Sequence, residues 1–181
     1  MSAKLEIERK FLVKYPDIDS LDVRRRASII QTYLNNGKNG SQRRVREITE
    51  NNTVKHTYTE KIFLDPAVRE ENERVITEEE YNVLLSDKKS KLRPIKKVRY
   101  CFNYHEQNFE LDTYPFSDKL AIMELELDSI EQNIDFPDNV CVLKDVTGDS
   151  SYSNSSLANA GAFPEECDSY FLGELDGRKD N

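Results

Sequence analysis

Tryptophan is absent from this 181-residue sequence, and histidine, cysteine and long apolar runs are scarce. The two histidines, His56 and His105, are too few for a His-rich metal centre. Three widely separated cysteines without a Cys-x-x-Cys motif argue against a disulfide framework and a structural zinc site. No apolar run approaches the roughly 18 residues that a membrane span needs, and the N-terminus lacks a signal-peptide core, so we expect a soluble cytoplasmic protein.

Apolar residues are also few, at 37% of the sequence against 33% charged residues and a net charge of −8. This acidic balance argues against a nucleic-acid binder, because sequence-independent binding needs an excess of Lys and Arg. The lean composition indicates that polar side chains occupy interior positions. The length suits one domain, which we place at residues 1–163, followed by an acidic tail over 164–181 without clear periodicity.

What the sequence has instead is an alternation of charged and apolar residues, which starts in its first ordered stretch. With a period of two, Glu6, Glu8 and Lys10 share one face of a strand, and Ile7 and Phe11 share the other. A single half-buried strand also alternates in this way, with its charged face simply in water. Here the pattern returns along most of the chain, and that recurrence carries the interpretation.

Turn residues and breaks in the alternation divide the chain into further elements. A capping box at Thr77 and Glu80 predicts a helix that ends near Ser86. The chain becomes loop-like from residue 135, with a short final helix around 157–158. The alternating stretches predict strands at 29–34, 42–48, 54–64, 69–76, 95–103, 107–114 and 121–127.

The charged residues of these strands come mostly in pairs two apart, so each pair lies on one face. The basic residues are Lys10, Arg44, Arg46, Lys61, Lys97 and Arg99, and the acidic ones are Glu6, Glu8, Glu71, Glu73, Glu110, Asp112, Glu124 and Glu126. On an open sheet this charged face would be exposed to solvent and would have no functional role. In a closed barrel it would become a charged interior, which makes sense when it encloses a charged ligand, since unpaired buried ions are costly.

The types of charge indicate the ligand. Arginine and lysine suit an oligophosphate, because Arg reads phosphate oxygens bidentately and Lys acts as a point charge. Carboxylates suit hard divalent cations such as Mg²⁺ or Mn²⁺, which prefer oxygen ligands. Metal and oligophosphate together point to phosphoanhydride chemistry. Among the residues in phase with these charges, no obvious aromatic clamp for a nucleobase is evident. This favours an inorganic substrate over a nucleotide.

The opening motif, Glu6-Ile7-Glu8-Arg9-Lys10, has the form Glu-x-Glu-x-Lys and resembles the CYTH family, the triphosphate tunnel metalloenzymes. The resemblance covers about residues 4–160 and implies an α+β fold: a closed antiparallel eight-stranded β-barrel, or tunnel, with a few external helices. The further matching motifs are Gln31-Thr32-Tyr33-Leu34, Arg44-Val45-Arg46, Lys61, Arg69-x-Glu71-x-Glu73, Lys97-Val98-Arg99, Glu110-Leu111-Asp112, Glu124-Leu125-Glu126 and Val146-Thr147-Gly148-Asp149.

The resemblance also implies roles for individual residues. Lys97 and Tyr33 match a lysine and a tyrosine that act as a dyad on the attacking water in small bacterial members. The phosphate ligands would be Lys10, Arg44, Arg46, Lys61 and Arg99. The metal ligands would be Glu6, Glu8, Glu124 and Glu126, with Glu110 and Asp112 assisting the metal or orienting basic groups, and with Glu73 serving a second metal or pairing with an arginine.

The resemblance implies a metal-dependent hydrolase that converts inorganic tripolyphosphate into pyrophosphate and phosphate. A nucleoside or thiamine triphosphatase, an adenylate cyclase on the same scaffold, and a non-catalytic polyphosphate-binding module remain as alternatives, and the sequence leaves a homodimer open. One departure concerns the C-terminal segment Ser150-Ser151-Tyr152-Ser153-Asn154, because the family usually carries a basic residue just before Tyr-x-Asn. We expect Tyr152 and Asn154 to form a structural plug.

Overall fold

The computed structural model of the chain describes residues 4–167. Nine strands and three α-helices make up most of it, with short 3₁₀ turns at Ile18–Ser20, Lys38–Gly40 and Ser150–Tyr152. The helices are α1 (Glu78–Leu85), α2 (Asn154–Ala160) and α3 (Pro164–Cys167). The strands are β1 (Lys4–Lys14), β2 (Val23–Tyr33), β3 (Gln42–Glu50), β4 (Thr53–Phe63), β5 (Val68–Ile76), β6 (Ile95–Tyr104), β7 (Gln107–Thr113), β8 (Leu120–Leu127) and β9 (Val142–Asp145).

Eight of the strands close into an antiparallel barrel, as predicted. Their order is β5-β4-β3-β2-β6-β7-β8-β1, and β1 pairs with β5 to complete the ring. The closing contact uses only the first part of β1, where Lys4 to Ile7 pair with Val68 to Glu71. Further along, β1 pairs with β9 instead, so that β9 lies beside the barrel without entering the ring.

Tight turns with left-handed backbone join two of the hairpins. Asn51 and Asn52 have φ angles of 47° and 61° in the turn between β3 and β4, where asparagine tolerates this conformation. His105 and Glu106 have φ angles of 44° and 63° in the turn between β6 and β7, although glutamate is not among the residue types that favour this conformation. The sequence signals the first turn clearly and gives little sign of the second.

Two elements differ from the sequence prediction. The second strand begins at Val23, six residues before the predicted start, so the basic run from Arg24 to Arg26 lies in β2. These three side chains are exposed, which is why the run resembles a solvated loop. Strand β9 was not predicted, because four residues are too few to show a period and its pairing with β1 rests on the backbone.

Helix α1 covers one part of the outer surface. Thr77 caps it by accepting a hydrogen bond from the Glu80 amide at 3.1 Å, as the predicted capping box requires. The Glu80 carboxylate accepts hydrogen bonds from Arg74, so only the Thr77 half of the box is seen. Below the helix, Tyr81 packs with Leu34, Val45 and Ile76.

A second apolar cluster lies on the outer face of β1, β6, β7 and β8. It includes Phe11, Phe109 and Met123, and Phe136 from the following loop contacts Phe11 edge-to-face with ring centroids 4.9 Å apart. The charged face of the same strands is therefore the inner one. This arrangement inverts the usual pattern of an apolar interior and a polar exterior, and it explains the lean apolar composition.

The C-terminal segment closes one end of the barrel. Leu12, Ile95 and Ile122 continue the luminal face of their strands at this end, and they belong to one buried cluster with Leu157 and Phe163. Helix α2 supplies Leu157, and its short partner α3 follows directly. The division between the domain and the tail stays a prediction, since of the predicted tail only residues 164–167 are described and 168–181 lie outside. Among the described helices, none has the length and apolarity that a bilayer crossing requires.

Candidate active site in the barrel lumen

The strand register brings the predicted charged residues to the inside of the barrel. Lys10 lies directly opposite Glu124, Arg99 opposite Asp112, and Lys61 opposite Glu71 on neighbouring strands. A cavity of about 890 Å³ occupies the lumen. The predicted site residues that line it are Glu6, Glu8, Lys10, Tyr33, Arg44, Arg46, Lys61, Glu73, Arg99, Glu110, Glu124 and Glu126.

Two predicted residues, Lys97 and Asp112, do not line the cavity. Both side chains are completely buried, and they form an ion pair with each other below the cavity floor. Burial lowers the pKa of Lys97 to about 8, and the neighbouring Arg99 adds to this effect while Asp112 opposes it. Lys97 is therefore held closer to the neutral form than an ordinary lysine.

Arg99 is the centre of the largest ion-pair network. Its guanidinium donates to both carboxylate oxygens of Asp112 at 2.7 Å and to Glu124 at 2.8 Å, and it also contacts Glu110. The pKa of Asp112 lies below its usual range, because Arg99 and Lys97 outweigh the effect of burial. Arg99 thus fixes three carboxylates on β7 and β8, and a phosphate would have to replace at least one of them.

Lys10 adds a second cation to the same carboxylate cluster. Its Nζ lies 2.9 Å from Glu124 Oε1. Burial alone would raise the pKa of Glu124, yet Lys10, Arg99 and Lys97 together hold it well below the usual range. Glu124 is therefore ionised over the whole physiological pH range, as both an ion-pair partner and a metal ligand must be.

A separate network lies across the cavity around Lys61. Its Nζ contacts Glu71 and lies 3.9 Å from Glu6. Burial lowers the pKa of Lys61 to about 7, and the cations Arg44 and Arg69 lower it further than the carboxylates raise it. Burial and the nearby Glu71 raise the pKa of Glu6.

Arg69, on β5, joins this network to the opening motif. Its Nε lies 3.3 Å from Glu6 Oε2, and its Nη2 contacts Glu8. Both glutamates of the opening motif are thereby held by one buried guanidinium. The pattern identified Arg69 in the sequence without assigning it a role, and the structure gives it this one.

Two buried nitrogen donors, one on the cavity wall and one on the neighbouring strand β2, have no hydrogen-bond partner among the described residues. They are Arg44 Nε and Gln31 Nε2. A second nitrogen of Arg44 makes only a long contact of 3.4 Å with Glu71. Unsatisfied buried donors typically cost about 1–3 kcal/mol each, so acceptor oxygens of a bound anion would stabilise this wall. Beside them, Arg46 donates to Gln31 Oε1 at 2.9 Å.

Tyr33 is buried and lies at the end of β2, where its side chain lines the cavity. Its hydroxyl interacts with Ser155 of α2. Burial raises the pKa of Tyr33, although Arg44, Lys10 and Arg46 act in the opposite direction. The phenol is therefore protonated at neutral pH and can donate a hydrogen bond into the cavity.

The C-terminal segment contributes hydroxyl groups to the cavity. Ser150, Ser153 and Ser155 line the cavity. Tyr152 is 3% exposed and contacts Glu165, and Asn154 accepts a hydrogen bond from Tyr114 at 3.0 Å. Tyr152 thus has the structural role that we expected for it, and Asn154 is partly a structural residue, since it also reaches the cavity lining.

Sequence reasoning missed two other parts of the lining. Gln42 lies opposite Lys61, and Phe63 follows Lys61 by two residues, so both share its luminal face. The prediction that no aromatic clamp for a nucleobase stands among the in-phase residues did not take Phe63 into account, which lies on this face. The predicted strand over 54–64 included Phe63, and its spacing of two from Lys61 is the signal that could have identified it.

The donor types in the lumen fit a hard divalent cation. Glu8 lies directly opposite Glu126, and Glu110 directly opposite Glu124, on neighbouring strands. Like charges at such positions destabilise a sheet unless cations lie between them. Arg99 bridges Glu110 and Glu124. Within residues 4–167 no three Asp, Glu, His or Cys side chains are already grouped for a metal.

Comparison with known proteins supports the architecture. No protein-family model matches the chain, and no curated protein does. The crystal structure of the inorganic triphosphatase NE1496 is similar, with a TM-score of 0.55 and 26% identity over 85% of this chain and 94% of that one. A structure described as the hypothetical protein NE1496 has the same TM-score, with 27% identity over 88% of this chain and 99% of that one.

An archaeal structure shares the fold alone. PH1819 from Pyrococcus horikoshii OT3 has a TM-score of 0.50 and 17% identity over 67% of this chain and 80% of that one. A closed eight-stranded antiparallel barrel with a charged lumen defines the triphosphate tunnel class. The chain has this fold, which is the CYTH fold, and it resembles NE1496 over most of both chains.

Proposed function

We propose that this chain hydrolyses inorganic tripolyphosphate to pyrophosphate and phosphate in the barrel lumen, with Mg²⁺ or Mn²⁺ as cofactor. The observation that carries the proposal is the mixed charge of one luminal cavity, in which cations that suit phosphate oxygens face carboxylates that suit a hard metal. The orphaned donor of Arg44, which lines this cavity, adds to it. The similarity to NE1496, which is described as an inorganic triphosphatase, supports the same reaction.

The balance of charge in the cavity supports a requirement for metal. Nine carboxylate and six cationic side chains of the described residues line it. An oligophosphate alone would therefore enter a cavity with an excess of negative charge, which opposes binding. Glu6, Glu8, Glu124 and Glu126 would hold the metal, with Glu73, Glu110 and Asp112 in support. A bound divalent cation polarises phosphoryl oxygens and offsets their charge.

The chain's own cations would hold and orient the substrate. Arg44 and Arg46 can offer planar guanidinium groups to phosphate oxygens, while Lys10 and Lys61 act as point charges. Substrate oxygens would take over contacts that carboxylates make in the free protein, as at Lys61 and Arg99. Because these donors are already fixed on strands of a closed barrel, they would oppose the charge that develops in the transition state with little rearrangement.

Lys97 and Tyr33 are the proposed dyad that acts on the attacking water. Tyr33 lines the cavity and can position the water directly. Lys97 lies below the floor with its Nζ on Asp112, so it has to act across the Asp112 and Arg99 network or by leaving Asp112. Its lowered pKa favours the neutral form that a base requires.

The test is product analysis with the purified full chain. Tripolyphosphate in Mg²⁺ or Mn²⁺ is expected to give equal amounts of pyrophosphate and phosphate, and EDTA is expected to stop the reaction reversibly. Arg44→Met is expected to lower kcat/KM, while the matched surface variant Arg24→Met is expected to leave it unchanged, since Arg24 is exposed outside the lumen. Binding of tripolyphosphate without any product would instead indicate a sensor of polyphosphate.

A further inference from the structure

Phe63 is an exposed aromatic ring at the edge of the phosphate-binding cavity. It is the last residue of β4, and its strand partner across the hairpin is Arg69. Its side chain shares the luminal face with Lys61 and lines the cavity. The residue is nevertheless 58% exposed. An exposed ring next to two buried cations is unusual in a cavity whose walls are otherwise mainly charged or polar.

The turn that carries this ring is fixed from three sides. The Leu64 amide donates to the Val68 carbonyl at 3.0 Å, which closes the turn itself. The Glu8 amide of β1 donates to the Ala67 carbonyl at 3.1 Å. Pro66 packs so closely against Gly148 that a Cβ on that glycine would lie 2.6 Å from Pro66 Cβ. Phe63 therefore stands on a rigid rim, and a ligand would meet it without ordering a loop.

The rim offers an apolar surface as well as a ring. Leu64 is 56% exposed, and both Leu64 and Pro66 line the cavity. The cavity volume of about 890 Å³ lies near the upper end of the range for small-molecule sites. A triphosphate held by Lys61 would thus have room for an organic group beside Phe63.

We propose that Phe63 is the stacking face of a subsite for a planar heteroaromatic group, such as the base of a nucleoside triphosphate. The inference rests on the proposed function for the phosphate end, since the cations of the lumen would hold the triphosphate while the ring lies on Phe63. Stacking on an aromatic side chain tolerates different bases, because each base has a π-face. Phe63 would then determine how well the site accepts organic triphosphates, without taking part in hydrolysis.

The kinetic test compares ATP with tripolyphosphate in Phe63→Ala and in the full-length parent. We expect the KM for ATP to rise about tenfold or more, the scale of one lost stacking contact, and the KM for tripolyphosphate to stay unchanged. Phe63→Tyr should restore the parent values because it keeps the ring. Ile62→Ala is the matched control, since Ile62 is 42% exposed on the same strand and points out of the barrel.

A fluorescence test separates this inference from the hydrolytic function. The sequence contains no tryptophan, so Phe63→Trp introduces a single tryptophan at the rim, whose emission can be excited selectively over that of the nine tyrosines. ATP in Mg²⁺ should quench its emission and tripolyphosphate at the same concentration should not, while Ile62→Trp should respond to neither. Quenching by ATP without turnover of any triphosphate would support the subsite and contradict the proposed hydrolysis.

Three results would overturn the subsite. One is an equal rise of both KM values in Phe63→Ala, which would make Phe63 part of the general cavity wall. Another is the absence of any difference between ATP and tripolyphosphate in the fluorescence titration. The third is a change from dimer to monomer in Phe63→Ala by light scattering, which would show that a second copy of the chain covers the rim.

Discussion

Lys97 and Asp112 form an ion pair in which neither side chain has any exposure to solvent. Such a pair is costly to bury unless each charge keeps its partner, and Asp112 keeps two, since Arg99 also donates to both of its oxygens. The pair lies directly under the luminal cavity. It therefore links the predicted base to the network that positions the carboxylates of β7 and β8.

The first prediction concerns Lys97 and pH. If Lys97 is the base, the rate rises as the lysine loses its proton and levels off above its pKa of about 8. Lys97→Arg should lower kcat by roughly 10²-fold or more and remove the alkaline rise. Lys96→Arg, at an exposed neighbouring position, should change neither. Thermal unfolding of both variants checks that the barrel still forms.

A Lys97→Arg enzyme with nearly normal kcat and an unchanged pH profile would contradict this role. The base would then lie elsewhere. Because arginine keeps the positive charge next to Asp112, a loss of activity in this variant would not reflect an unpaired buried carboxylate.

Tyr33→Phe provides a second prediction. Phenylalanine keeps the packing of the buried ring and removes only the hydroxyl that interacts with Ser155. We expect kcat to fall by less than in Lys97→Arg, because a phenol that is protonated at neutral pH positions water or lysine rather than accepting the proton. Tyr100→Phe on the outer face is the control. A larger loss than in Lys97→Arg would assign the main proton-transfer role to the tyrosine.

The third prediction separates metal binding from stability. Glu126 is exposed at the cavity, whereas Glu124 is buried between Lys10 and Arg99. Glu126→Gln should raise the Mg²⁺ concentration for half-maximal rate by about tenfold or more with little change in Tm. Glu124→Gln should weaken metal binding and also lower Tm, since it removes the carboxylate that pairs with Lys10 and one of the three that pair with Arg99. Activity of either variant in EDTA would contradict a metal requirement.

Gly148 leads to a prediction about the rim. Its φ of +75° is left-handed, and a Cβ there would overlap Pro66. Gly161 has a φ of +70° with nothing within 4 Å, so Gly161→Ala measures the backbone cost alone, roughly 1–2 kcal/mol. Gly148→Ala should lose roughly 2–4 kcal/mol of unfolding free energy, because the overlap adds to that cost. Equal losses by chemical denaturation would show that the contact with Pro66 is unimportant.

The sequence predicted the barrel well because its inner face is charged. Alternation of Glu, Lys and Arg with apolar residues is visible without any contact information, and it placed Lys10, Arg44 and Glu124 on one face. A period of two shows which face of a strand a residue occupies, but it does not show how deep in the barrel the residue lies. The apolar residues Leu12 and Ile122 continue the same face and close one end, which is why Lys97 lies below the cavity while Arg99 reaches it.

Other parts of the site depend on contacts between distant segments. The opening motif is held by Arg69, more than sixty residues further on, and the Lys10 amide donates to Thr147 Oγ1 at 2.9 Å. No local pattern predicts such pairs. Phe63 was in phase, but a period of two does not show that it is exposed at the end of β4. Strand β9 pairs through its backbone, so its four residues need no recognisable pattern.

Substrate preference tests the central claim most directly. The measurement is kcat/KM for tripolyphosphate, ATP and thiamine triphosphate with one preparation in Mg²⁺. The luminal cations act on phosphate, which all three substrates carry. Phe63 can only reduce the difference in kcat/KM between tripolyphosphate and the substrates that have a ring. We therefore predict the highest kcat/KM for tripolyphosphate. An equal or higher kcat/KM for ATP or thiamine triphosphate would contradict the assignment as an inorganic triphosphatase.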